Sequence, residues 1–249
     1  MYKIRNKAMN SFSSYENLKA IREKSESNRI KENRNHEVLY FHKTDDPYSH
    51  LTIQFVEKLK EEYSVDLIPI LVGEENPDAL HEPDLYEKYC LEDVKRISPY
   101  YGVDFNGDSY PEKSLVNKAN SILAATESNN FIQIAKKVST HLWNNDEEEL
   151  SMLQKQFNSS MSKVSEVLSE GNKIRNDCDY YFGSAFYYEK ELYWGVDRID
   201  HLEDRLTELG LKKDTNNEPI CTPILNSPPS LESDKQVNLY YYPSLNSPY

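Results

Sequence analysis

Cysteine is scarce in this chain of 249 residues, and long apolar runs are missing from it. The three cysteines (Cys90, Cys178 and Cys221) include no C-x-x-C pair, so they supply neither a disulfide framework nor a zinc site. No apolar stretch approaches the roughly 20 residues that span a bilayer, and no apolar core of a secretion signal follows Met1. We therefore expect a cytoplasmic protein that makes no membrane contact.

Glycine is also rare, with seven residues, and the motifs that commonly identify enzymes are lacking. The chain contains no G-x-G-x-x-G, Walker A, G-x-S-x-G or H-E-x-x-H sequence, so nucleotide, hydrolase and metal chemistry has no support. Asp104, Asn106 and Asp108 are spaced as in a calcium loop, but Leu115 stands where a bidentate glutamate is required. We predict a turn there and no metal site.

Basic charge is in deficit overall, because the formal net charge is -13. A nucleic-acid partner is not expected, since phosphate binding requires a basic field. Residues 1–35 are the exception, with nine Lys or Arg against four Glu, and we predict a basic helical leader there. A membrane or partner helix is one interpretation of this leader. Its apolar stripe is thin (Tyr15, Leu18, Ile21 and Ile30), which favours a solvated arm folded onto the acidic remainder of the chain.

Hydrophobic periodicity predicts strands separated by a long helical block. Asp46 followed by Pro47 indicates a helix start, and apolar residues then recur every four positions from Leu51 to Tyr63. The predicted elements are a leader helix at 12–33, strands at 37–42 and 65–70 around that helix, four or five helices within 85–177, a hairpin at 184–188 and 191–194, and a helix at 197–209.

One motif occurs twice in the chain. Residues 38–48 return in outline as residues 239–249, with an aromatic strand-like run followed by a polar turn and Pro-Tyr. A period of this length indicates a repeated domain. We predict a leader at 1–35, a domain at 36–211, a Pro- and Ser-rich linker at 212–236, and the first strand of a truncated second domain at 237–249.

The order of elements and several motifs resemble a known family. Three motifs are similar to those of 2-hydroxychromene-2-carboxylate isomerases and kappa-class glutathione transferases. They are the helix start D-P-Y-S (46–49), Y-x-x-x-D-x-x-R (89–96) followed by Y-G (101–102), and Y-W-G-V-D-R (193–198). These belong to the DsbA-like branch of the thioredoxin superfamily. The resemblance implies an α/β thioredoxin fold with an all-helical insertion, plus the N-terminal helix.

The resemblance also implies a glutathione site at the start of the first helix. There the family uses Ser-Pro, and the serine hydroxyl donates to the glutathione sulfur, whereas this chain has Asp46 before Pro47. An ionised acceptor at this position repels a thiolate, so we expect this site, with Tyr48 and Ser49, not to activate glutathione. The second copy has Ser247 at the matching place, and we expect the catalytic hydroxyl there.

Other family positions are implied as ligand contacts. Ser184 and Ala185 occupy the loop where the family places a cis-proline, and we expect a trans peptide because a cis bond before alanine costs about 2.5 to 4 kcal/mol. Asp197, followed by Arg198, matches the aspartate that receives the glutathione amino group, and a helix N-cap explains it equally well.

Three further sets of residues have two interpretations each. Asp46 is either a general base, with a pKa raised by Asp45, or a plain N-cap. His50 either assists at this site or is a satisfied core or surface histidine. Tyr89, Asp93 and Arg96 share one helix face, which favours an Asp–Arg pair over a ligand contact.

The resemblance implies a glutathione-assisted isomerase or transferase that acts on an aromatic or electrophilic small molecule. In that case the present domain is a degenerate partner, in cis, of a second DsbA-like domain. A non-catalytic binding or assembly domain is the alternative. A thiol-disulfide oxidoreductase is disfavoured, because residues 46–49 contain no cysteine pair.

Overall fold

The computed structural model describes residues 14–75 and 82–222. Its helices are α1 (Tyr15–Lys31), α2 (Pro47–Glu62), α3 (Pro83–Ile97), α4 (Lys113–Ala124), α5 (Ser128–Trp143), α6 (Glu147–Gln156), α7 (Met161–Asp177) and α8 (Ile199–Glu208). Its strands are β1 (Glu37–Lys43), β2 (Asp66–Val72), β3 (Ala185–Tyr188) and β4 (Glu191–Trp194), and short 3₁₀ helices cover Ser98–Tyr101 and Val196–Arg198. The second motif copy, with Ser247, lies outside the described residues.

The four strands form one sheet in the order β2-β1-β3-β4. β1 pairs with β2 in parallel over its whole length, from Glu37 opposite Asp66 to Lys43 opposite Val72. β3 is antiparallel to β1, and the β3–β4 hairpin completes the sheet. The complete parallel pairing explains why β2 ends two residues later than the sequence predicts.

Helix α2 starts where β1 ends, as the Asp46-Pro47 pair predicts. Asp46 is the N-cap and Pro47 occupies the first turn, where its missing N–H costs nothing. The helix is more deeply buried than its four-residue apolar repeat indicates, because His50, Thr52 and Ile53 are buried as well. It therefore packs against protein on several sides, and its N-terminus is held firmly at the end of β1.

The helical block between β2 and β3 contains α3 to α7, which confirms the predicted insertion. α7 returns to the sheet and packs against β2, and Gly171 makes this close approach possible. A Cβ at position 171 would overlap the carbonyl oxygen of Leu71. The next turn of α7 holds the loop after β2, because Asn172 accepts from Gly73 N at 2.8 Å and buried Arg175 donates to Glu74 O at 3.0 Å.

The segment after α8 stays attached to the domain through residue 222. Lys213 N donates to Glu62 O at 2.8 Å, so this segment satisfies carbonyls at the end of α2. The buried carboxylate of Glu203 accepts from Ile220 N at 3.0 Å and from Cys221 N at 3.3 Å. The first 11 residues of the predicted linker are thus anchored, and 223–236 lie outside the described residues.

The strand-helix-strand unit, the inserted helices and the final hairpin with α8 form a thioredoxin fold of the DsbA-like kind, as the resemblance implies. Within residues 14–75 and 82–222, no helix is long and apolar enough to cross a membrane.

We predict that Gly171→Ala destabilises the domain by about 3 kcal/mol, although Gly→Ala in an ordinary helix stabilises it by about 1 kcal/mol. The added methyl group would collide with backbone of β2, which cannot rotate away. Urea denaturation followed by circular dichroism measures the change. Glu170→Ala, at the exposed neighbouring position, is the matched control and should be nearly neutral. Equal stability of the two variants would contradict the proposed packing.

Candidate functional site

Asp46 caps the N-terminus of α2 through three hydrogen bonds. Its Oδ1 accepts from Tyr48 N at 3.1 Å, and its Oδ2 accepts from Ser49 N at 2.9 Å and from Ser49 Oγ at 2.7 Å. Ser49 Oγ in turn accepts from Lys43 N at 3.2 Å, which connects the cap to the end of β1. The carboxylate therefore occupies the backbone donors that a bound anion would otherwise use at this helix end.

Burial raises the pKa of Asp46 to about 6, against the opposing effects of the Lys43 ammonium group and the Ser49 hydroxyl. Like-charge repulsion by Asp45, which the sequence suggests as a cause, is not the main one. The Lys43 ammonium group lies 2.9 Å from Glu75 and 3.6 Å from Asp45. The site thus has a capped, buried carboxylate surrounded by further carboxylates and one lysine.

The loop before β3 closes over the cap. A Cβ on Gly183 would lie 2.7 Å from Lys43 Cβ and 3.2 Å from Asp46 Oδ2, so only glycine fits here. Ser184 and Ala185 are fully buried, and Ser184 Oγ is 2.8 Å from Thr52 Oγ1. No described peptide bond is cis, and Ser184 adopts a left-handed φ of 54°. The side chains of Ser184 and Ala185 thus face the protein interior rather than a ligand.

Aromatic rings from three distant segments surround the other side of α2's first turn. Phe182 stacks on Trp194 and on Tyr86, with ring centroids 5.4 Å apart in both pairs. Tyr48 contacts the same Trp194 ring edge-on at 5.7 Å. Burial raises the pKa of the adjacent Cys90 thiol to about 12, so it is a neutral core group. Sequence analysis missed this stack, although the Y-Y-F run before β3 was a local signal for it.

Asp93 forms a hydrogen bond with Tyr48 at the site, and the prediction of an ion pair between Asp93 and Arg96 is wrong. Tyr48 OH donates to Asp93 Oδ2 at 2.8 Å, and Arg96 is exposed without an ion pair to Asp93 within 4.0 Å. Tyr89, on the same helix face, is also exposed. The Tyr48 side chain is long enough to reach from α2 to Asp93 on α3. Asp93 therefore bonds to another helix, although Arg96 lies three residues away on its own helix.

Asp197 and Arg198 lie in the 3₁₀ turn after β4. They form an exposed ion pair at 3.7 Å, and neither side chain makes a helix-capping hydrogen bond. The N-cap interpretation of Asp197 is therefore wrong. Gly195 has a φ of 81°, and its missing Cβ leaves room for the Asp197 carboxylate. The Asp197 side chain is exposed and paired with Arg198, and it contacts neither Asp46 nor Ser49.

The histidines near the site are core residues. His50 is buried and its Nδ1 lies 2.9 Å from Ser139 Oγ, and burial lowers the pKa of His50 to about 4. His42, at the end of β1, is buried beside Tyr40, and burial lowers its pKa to about 3. Both imidazoles are neutral at pH 7. His50 therefore supports packing of α2 and does not present a proton to the site.

A cleft of about 630 Å³ opens next to the cap, between the ends of β1 and β2 and the inserted helices. Thr44 and Asp45 belong to its lining, and Asp46 does not. The charged side chains of the cleft are three carboxylates and one lysine (Asp45, Glu74, Glu87 and Lys113). Its α4 and α7 walls combine five polar side chains with two apolar ones (Asn117, Asn120, Ser165, Ser169 and Asn172; Val116 and Leu168). This charge balance disfavours an anionic ligand.

Glutathione activation in the family manner does not fit these residues. The thiolate requires donors, and both Asp46 oxygens already take the N–H groups of Tyr48 and Ser49 as well as the Ser49 hydroxyl. Gly183 packs against the cap so closely that a Cβ on it would lie 3.2 Å from Asp46 Oδ2. In the part of the chain that the structure describes, no group of three or more His, Cys, Asp or Glu side chains is placed to hold a metal ion. Asp108 instead pairs with Lys95 at 3.1 Å.

We predict that Ser49→Ala raises the pKa of Asp46 above its value of about 6. The hydroxyl stabilises the ionised carboxylate, so its loss favours the protonated form. Carbon-13 NMR titration of the aspartate carboxyl signals measures the shift. Thr52→Ala removes a hydroxyl from the same helix that bonds Ser184 instead, and it should leave the Asp46 titration unchanged. A lower Asp46 pKa in Ser49→Ala would contradict the cap geometry.

Comparison with known proteins gives support at the level of the fold. No protein-family model matches the chain, and no curated protein matches it. A solved structure of a 2-hydroxychromene-2-carboxylate isomerase is similar, with a TM-score of 0.50 and 16% sequence identity. The similarity covers 70% of this chain and 96% of the isomerase. At this identity the chain shares the isomerase's fold, and its activity is a separate matter.

Proposed function

We propose that this domain is a DsbA-like partner domain that does not activate glutathione and that works in cis with a second, isomerase-type domain. One observation carries the proposal, namely the saturation of the α2 N-terminus by the Asp46 carboxylate. A thiolate at this helix end would meet an acceptor instead of a donor.

The negative charge at this helix end disfavours a thiolate more than the loss of one hydroxyl would. A thiolate gains stability from the positive end of a helix, and an N-cap carboxylate cancels that advantage. Asp45 and Glu75 add negative charge around the cap, and the Lys43 ammonium group is already within 4 Å of both. The pKa of a thiol brought to this site would therefore stay at or above its usual value.

The catalytic hydroxyl of the proposed two-domain protein is Ser247, in the second copy of the motif. Its segment, N-S-P-Y, restores the serine that Asp46 replaces. The substrate proposed for that second half is an aromatic or otherwise electrophilic small molecule, in keeping with the chromene substrate in the name of the structurally similar isomerase. The present domain then acts through binding or assembly.

Asp46 as a general base is the second candidate function, and its pKa of about 6 favours it. Proton transfer requires a carboxylate that can reach a ligand. Asp46 instead accepts three hydrogen bonds from its own helix and does not line the neighbouring cleft. Glutathione-dependent turnover by the chain that is lost in Asp46→Ala would favour this second candidate.

We predict no saturable glutathione binding to the chain at concentrations up to about 10 mM, which detects any interaction stronger than about -3 kcal/mol. Isothermal titration calorimetry measures it. Asp46→Ser restores the family's donor and should gain measurable binding. Asp45→Ser removes the neighbouring carboxylate but keeps the cap, so it should behave like the unmodified chain. Saturable binding by the unmodified chain would refute the proposal, provided circular dichroism shows all three proteins folded.

A further inference from the structure

Helix α1 is bound to the domain with very little apolar contact. Ser25 is its one buried residue among 15–31. Tyr15 and Ile30 keep 67% and 62% of their surface exposed, and Ile21 keeps 37%. Burial of apolar side chains is the usual reason that a helix stays packed on a domain. α1 is therefore held mainly by polar contacts.

The strongest of these contacts join Arg22 to two glutamates that we call the acceptor pair, Glu191 and Glu208. Arg22 Nε and Nη2 donate to the Glu191 carboxylate at 2.9 and 2.6 Å, and Arg22 Nη1 donates to Glu208 Oε2 at 3.2 Å. The side chains of Arg22 and Glu191 are only 18% and 14% exposed. A two-pronged, partly desolvated pair of this kind is far stronger than an exposed ion pair.

Arg205 of α8 lies beside the acceptor pair, 3.6 Å from Glu191 and 3.3 Å from Glu208. The acceptor pair therefore keeps one cationic partner when Arg22 leaves. This reduces the penalty for burying Glu191 without Arg22. The body of the domain can thus remain folded with α1 detached.

The chain between α1 and β1 has separate attachments. Arg34 donates to Glu189 at 2.7 Å in the β3–β4 turn, and Arg29 donates to Arg34 O at 2.6 Å. Residues 32–36 alone separate α1 from β1, so the C-terminal end of α1 stays beside the sheet after Arg22 is released. A released α1 therefore remains tethered and can rebind.

We propose that α1 is a releasable arm, and that the acceptor pair is a docking surface for an arginine on a basic helix, with α1 as its occupant in cis. Charge complementarity supports this occupant, because residues 1–35 carry nine basic against four acidic side chains in a chain of net charge -13. Salt weakens the ion pairs that hold α1, although it weakens them less than exposed pairs because Arg22 and Glu191 are partly buried. Apolar packing would not weaken in salt.

Hydrogen exchange of the α1 amides, measured by mass spectrometry, tests the release. Raising NaCl from about 0.1 M to about 1 M shortens the Debye length from about 10 Å to about 3 Å. We expect α1 exchange to become faster at high salt, with core exchange unchanged. Arg22→Gln removes the contact altogether and should accelerate α1 exchange about tenfold or more at low salt, as expected for loss of one strong charge-assisted contact, and Arg22→Lys should accelerate it less.

Lys19→Gln is the matched control, because Lys19 pairs within α1 with Glu23 and is 64% exposed. It removes the same charge from the arm without touching the acceptor pair, so exchange should stay as in the unmodified chain. Equal acceleration by Lys19→Gln, no response to salt, or loss of the whole fold in Arg22→Gln would each overturn the releasable arm.

A synthetic peptide of residues 14–36 tests the docking surface itself. It should bind the Arg22→Gln chain in trans, as measured by fluorescence anisotropy, and bind the unmodified chain at least about tenfold more weakly because α1 already fills the site. The same peptide carrying Arg22→Gln should fail to bind. Absence of binding by the unmodified peptide would overturn the proposed docking surface.

Discussion

The contact between the Asp46 carboxylate and the first turn of α2 is the interaction on which this site depends. It satisfies two backbone N–H groups and the Ser49 hydroxyl, and through Ser49 it is joined to the end of β1. A helix N-terminus attracts either a ligand anion or a side-chain carboxylate. Here the protein supplies its own carboxylate, which takes the N–H groups of Tyr48 and Ser49.

The thioredoxin fold brings the start of α2, the neighbouring cleft and the loop before β3 together. β1 and β2 run in parallel, so the start of α2 and the cleft meet at the same end of the sheet. The loop before β3 reaches the same point, where Gly183 contacts the cap and Ser184 is buried beneath it. The group that the fold places at the start of α2 is a capped carboxylate.

The parts of the fold that local sequence determines were predictable. The strand at 37–42, the Asp46-Pro47 helix start and the inserted helices follow from apolar periodicity and capping residues, and the structure has all of them. The domain boundaries and the second copy at 237–249 stay predictions. The topology was predicted from the family resemblance, because residue periodicity alone does not define the order of strands in a sheet.

The contacts that sequence analysis missed join residues far apart in the chain. Asp93 bonds Tyr48 across 45 positions, so its spacing from Arg96 was misleading. The rings of Tyr86, Phe182 and Trp194 come from three segments, and Glu203 binds the backbone of the predicted linker after α8. Burial, which raises the pKa of Asp46 and lowers that of His50, is likewise a property of the folded chain.

A crystal structure of the chain grown with glutathione tests the central claim most directly. Our account predicts that both Asp46 oxygens remain on the amides of Tyr48 and Ser49, with no sulfur atom within hydrogen-bonding distance of either amide. A structure in which the glutathione sulfur takes those two N–H groups, with the Asp46 side chain rotated away, would contradict it.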